Sequence, residues 1–62
     1  MSQENVRLRL DRFLLEKGVR QAFICKKIAL PASVMSQFRK GKKNLYTDHL
    51  SALDDFLKQE NY

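Results

Sequence analysis

The sequence predicts an all-α fold, a compact bundle of four short helices with a fifth as the alternative. Three observations lead there. Glycine and proline are rare, two and one among 62 residues, so helix breaks are few and connections short. Apolar residues recur at spacings of three and four and never alternate as a half-buried strand requires. A chain this short buries roughly 60% of the surface its unfolded form exposes, which allows one modest core. Residues 1–62 therefore read as a single domain.

Val6, Leu10, Phe13 and Leu14 share a helical face, and Gly18 stands where a left-handed residue ends such a helix. The first helix is expected over about 4–17. Val19, Phe23, Ile24 and Ile28 carry the same period past the break and imply a second helix over about 20–27. Ala29-Leu30-Pro31 then interrupts. Pro31 suits the first turn of a third helix, about 31–40, whose apolar stripe is Val34, Met35 and Phe38 and whose end is Gly41. Thr47 is expected to N-cap a fourth helix marked by Leu50, Leu53, Phe56 and Leu57. Asp48 in its first turn complements the helix dipole.

Composition narrows the function. At 44% hydrophobic and 31% charged, the chain reads as neither disordered nor membrane-spanning. No apolar run approaches the roughly 20 residues of a spanning helix, and the start MSQENVRLRL has no signal-peptide core. A cytoplasmic protein without membrane contact is expected. With Cys25 the lone cysteine and His49 the lone histidine, neither an internal disulfide nor a zinc set is available. Asp54 and Asp55 are adjacent on a helix and point apart, Cys25 is predicted buried without a histidine partner, and no glycine-rich phosphate loop exists. No catalytic site, cofactor or small-molecule substrate is inferred.

Charge is distributed unevenly. Eleven of the twelve Lys and Arg residues lie in 1–47, against only Glu4, Asp11 and Glu16. Residues 48–62 hold Lys58 against Asp48, Asp54, Asp55 and Glu60. A basic body with an acidic end suggests one side that meets a polyanion and one turned from it, and composition alone fits a solvated surface of mixed charges equally well.

Residues 20–42, RQAFICKKIALPASVMSQFRKGK, read as two short helices joined by a tight turn, the helix-turn-helix arrangement. Gln21 opens the second helix, Ile24 and Ile28 line its inner face, and the small Cys25 sits where the helices cross. Met35 and Phe38 anchor the third helix, and Gly41-Lys42 leaves it. In this joint spacing the segment resembles, without gaps, the phage repressor/Cro-like (Xre-like) helix-turn-helix DNA-binding family. The flanking Gly18-Val19 and the helix after Gly41 extend the resemblance over most of the chain. It implies a lambda-repressor-like bundle, a bacterial or phage transcriptional regulator, and double-stranded DNA as partner, with the third helix entering the major groove.

With Val34, Met35 and Phe38 inward, the opposite side of that helix presents Ala32, Ser33, Ser36, Gln37 and Lys40. Small residues at its start fit a groove about 12 Å wide. Gln37 can pair bidentately with adenine, Ala32 can touch a thymine methyl, and Ser33 and Ser36 can donate or accept at base edges. The resemblance makes Ala32, Ser33, Ser36 and Gln37 the base-reading positions. Arg39, Lys40, Lys42, Lys43 and Asn44 form the basic exit and are expected on phosphates, which set register without reading sequence. Gln21, by resemblance, and Arg20 beside it are expected on phosphate at the start of the second helix. Lys26 and Lys27 read as solvated surface. A single-stranded RNA partner is disfavoured because the basic face lacks an aromatic stacking platform.

Some positions depart from the family pattern. Ala29 stands where glycine is usual, so either a left-handed turn there is strained or the turn is rebuilt. Arg20 and Pro31 stand where capping hydroxyls are common. Leu14 and Arg39 replace an arginine–glutamate pair of some relatives. Leu8, Leu15 and Phe23 occupy positions usually polar and exposed. Either Tyr62 or the Tyr46 loop packs over them, or they form a protein interface. Longer relatives add a fifth helix that often supports dimerisation, so a homodimer and a protein partner both stay open. The second functional reading is a small accessory or antirepressor-type interaction module that keeps the fold without specific DNA binding.

Overall fold

The computed structural model describes residues 2–62, in four helices and no strand among the described residues: α1 (Gln3–Lys17), α2 (Gln21–Ile28), α3 (Ala32–Arg39) and α4 (Thr47–Gln59). α1 starts where it does because Ser2 is extended and its Oγ accepts the Asn5 backbone N–H at 3.2 Å. Such a cap contributes about 1 kcal/mol. The helix stops at Gly18, which is left-handed at φ 65°. Val6, Leu10, Phe13 and Leu14 are buried as the period requires, while Leu8 and Leu15 fall on the opposite side.

α2 begins and ends one residue later than the periodicity suggested, and no side chain caps it. Ala29 ends it at φ 55°, ψ 45°, and the Leu30 N–H closes the turn on the Cys25 carbonyl at 2.9 Å. This loop-back needs a left-handed residue, which a Cβ disfavours by roughly 1–2 kcal/mol. Ala29→Gly should therefore stabilise the domain by about 1 kcal/mol, after glycine's larger unfolded-state entropy is subtracted. A urea midpoint unchanged or lowered by the substitution would refute this.

Two expected helix starts need correcting. Pro31 is the N-cap of α3, one residue before its first turn, and Lys40 follows its last residue. Thr47 does not cap α4: it is the first helical residue, and the extended Tyr46 holds the cap position with no side-chain bond. The Thr47 pattern misleads because the chain is already helical at Thr47, and the last extended residue is Tyr46. α4 ends through Asn61, left-handed at φ 67°, with the Tyr62 N–H returning to the Leu57 carbonyl at 2.8 Å.

One core results. α1 lies along α4, and α2 with α3 closes the other side. The helical stripes are joined in that core by Leu30 and Leu45, which come from connections and so carry no periodic signal. Phe13 meets Phe56 and Tyr62 edge-on, at centroid distances of 5.4 and 5.3 Å. Two buried polar groups are fully engaged. Arg7 donates from Nε to the Phe38 carbonyl, lies 4.6 Å over the Phe38 ring, and pairs with Glu4. Asp54 accepts from Arg9 at 2.5 Å and from Lys58 at 3.0 Å.

The packing explanation for the unusual apolar positions does not hold. Tyr62 covers Phe13 and donates its hydroxyl to Glu16, and Tyr46 is itself exposed. Leu8, Leu15 and Phe23 remain 64%, 85% and 48% exposed. No described helix is long and apolar enough to cross a membrane.

Candidate nucleic-acid interface

Met35 and Phe38 are wholly buried and Val34 partly so, which fixes how α3 is rotated. The turn geometry then leaves Ala32, Ser33 and Gln37 exposed, Ser36 half-buried, and Lys40 exposed just past the helix end. The four expected base-reading residues thus share the side of α3 turned from the core. Three are fully available to a partner. Ser36 is held.

What holds it is a chain of side chains across three helices. Asp11 of α1 accepts from Arg39 Nε at 3.1 Å, and the same guanidinium donates to Gln21 Oε1 at 3.0 Å. Gln21 Nε2 then donates to Ser36 Oγ at 2.9 Å. An arginine can only donate, so it must face the carboxamide oxygen, and that turns the amide nitrogen toward the serine. Ser36 accepts this bond and keeps its own hydroxyl proton for an outside acceptor. Gln21 and Arg39 were expected on phosphate separately; the structure joins both to Ser36, one of the expected base-reading positions. Arg39 pairs with Asp11, so an ion pair joins α3 to α1. Asp11 was not singled out from sequence, because only the fold brings positions 11 and 39 together.

The basic exit is anchored as well. Gly41 turns the chain at φ 77°, and the Lys42 N–H returns to the Gln37 carbonyl at 2.9 Å. Lys42, Lys43 and Asn44 project from this loop, all exposed. The next residue, Leu45, is buried and gripped by Gln3: its carbonyl accepts from Nε2 at 3.0 Å, and its N–H donates to Oε1 at 3.1 Å. A carboxamide presents a donor and an acceptor side by side, as a peptide does, so it can clamp a backbone this way. No local signal marks Gln3.

Ion pairing sorts the charges. Arg7, Arg9, Arg12, Arg39 and Lys58 each meet a carboxylate. Among the described residues, the cations without one are Lys17, Arg20, Lys26, Lys27, Lys40, Lys42 and Lys43. The carboxylates without a cation are Asp48 and Asp55 of α4 and Glu60 just beyond it. Uncompensated positive charge therefore runs from the end of α1 to the loop after α3, and uncompensated negative charge follows α4. Arg20 is exposed beside the start of α2, whose first N–H groups have no side-chain cap. Cys25 is buried, and burial pushes its thiol above the ordinary value, so it presents no thiolate. No group of three or more potential metal ligands occurs among the described residues. A scan of protein-family models, a search of curated proteins and a search of solved structures each found no match to this chain.

Proposed function

We propose that this protein is a sequence-specific double-stranded-DNA-binding regulator of the phage repressor/Cro-like helix-turn-helix kind. The observation that carries the reading is the segregation of unpaired charge. A protein that neutralises phosphates gains affinity by releasing counterions, and needs cations not already committed to its own carboxylates. Here Lys40, Lys42 and Lys43 follow α3 directly and Arg20 stands beside Gln21, while on the outward side of α3 Ala32, Ser33 and Gln37 are exposed and Ser36 is held by Gln21. A purely solvated surface has no reason to exclude acids from residues 17–47.

The division of labour gives the test. Lys42→Ala should weaken binding to all duplexes alike and lower the slope of log affinity against log salt by about one. Gln37→Ala should leave that slope unchanged and relax preference at a single base pair, by roughly 1–3 kcal/mol. Selection from random duplexes, followed by titration at several salt concentrations, measures both. Unchanged binding of both variants to the selected duplex would end this reading.

A further inference from the structure

We propose that the outer face of α2 is a docking surface for an acidic amphipathic segment of a partner protein, with Phe23 as its centre. Phe23 stands proud between two hollows. One, of about 460 Å³, is walled by Val19, Ala22 and Phe23 and edged by Arg20 and Lys26. The other, of about 520 Å³, is lined by Phe13, Val19, Phe23 and Phe56, with Lys17 of α1, Lys27 of α2 and Glu60 from just beyond α4. An exposed phenylalanine with a hollow on either side is a receptor for apolar anchors spaced along a helix.

Charge selects the occupant. Lys17, Arg20, Lys26 and Lys27 rim the two hollows without a carboxylate partner, and no acid occurs between Lys17 and Thr47. Carboxylates interleaved with apolar anchors satisfy such a rim. Glu60 across the second hollow orients the segment, its acidic edge toward α2. An intact duplex keeps its base faces stacked and presents phosphates outward, so it offers Phe23 no apolar surface of matching extent. The Lys27 ammonium lies over one face of the ring at 5.4 Å, which places a cation beside the apolar anchor point. Leu8 and Leu15 take no part: they line neither hollow.

The test is selection of random 16-residue display peptides against the folded protein. The expected peptides carry three or more Asp or Glu residues with leucine or an aromatic at helical spacing. Binding should fall at least tenfold in Phe23→Asp and in the Lys26→Glu, Lys27→Glu double variant, and stay unchanged in Gln37→Ala. Phe23 is half exposed, so its variant keeps the fold, which circular dichroism checks. Three results would overturn the proposal: no acidic enrichment, selected peptides indifferent to Phe23, or Phe23-dependent binding only of oligothymidine or of phosphatidylglycerol vesicles. Because Gln37→Ala is the control, the outcome stands apart from that of the duplex reading.

Discussion

Phe38→Ala should cost the domain about 3–5 kcal/mol, the usual range for emptying a buried phenylalanine site. A 62-residue domain has only roughly 3–9 kcal/mol of stability to lose, so this one change removes most of it. The side chain is wholly buried, and it does more than fill space. Its ring lies against the Arg7 guanidinium, and its carbonyl takes the Arg7 Nε–H. Truncation leaves a cavity beside a buried cation that has lost the ring from one side. Phe38→Leu, which keeps most of the volume, should cost under about 1.5 kcal/mol. Urea titration followed by circular dichroism measures both. A loss below about 1 kcal/mol for the alanine variant would mean that α3 is held to α1 by something other than this residue.

The second large effect is expected at Asp54. Its carboxylate is 6% exposed and accepts from Arg9 and Lys58, while Arg9 also donates to the Tyr62 carbonyl at 2.7 Å. Asp54→Ala leaves the Arg9 guanidinium largely enclosed without its anion, at a cost of roughly 3 kcal/mol. The same residue gives the domain an acid limit. The Arg9 hydrogen bond first, and that of Lys58 second, hold the Asp54 carboxyl below the usual aspartate range. A depressed folded pKa means that the unfolded chain takes up the proton first. This stabilisation is complete above the ordinary aspartate value of about 4 and is lost as pH falls below it, through the lower folded value. Wild-type stability should thus decline as pH falls below about 4, and Asp54→Ala should decline less over the same interval. Urea midpoints across that range settle it. Parallel curves for the two proteins would remove Asp54 from the explanation.

The helices were legible because each carries a local record. Val6, Leu10, Phe13 and Leu14 mark α1 by period, Gly18 marks its end by backbone freedom, and Met35 with Phe38 marks the buried side of α3. The strain at Ala29 was legible too, since the turn demands a left-handed residue whichever side chain sits there. Ser36 and Gln37 could be placed outward from the same stripe. What the sequence hid depends on pairs far apart in the chain. Asp11 with Arg39, Gln3 with Leu45, and Arg9 with Asp54 obey no spacing rule, because tertiary packing alone makes them neighbours. Phe23 was ambiguous for a related reason: it sits in an apolar run with Ile24, and only the crossing of α2 over α3 decides which of the two turns inward. Thr47 had the right chemistry for a cap and the wrong place in the backbone.

The Gln3 clamp has a dynamic consequence. Leu45 belongs to a loop, yet its amide is closed off by a side chain from the first turn of α1. That turn is the part of a helix most prone to fray, and here the Ser2 cap restrains it. Opening of α1 at its start therefore frees the Leu45 amide, while the Lys42 bond to the Gln37 carbonyl and the buried Leu45 side chain still hold the loop, so it can occur while the core stays folded. Hydrogen exchange at the Leu45 amide would time that event. One of the loop's three restraints is thus lent by a residue 42 positions earlier, and it is the one that a frayed turn would remove first.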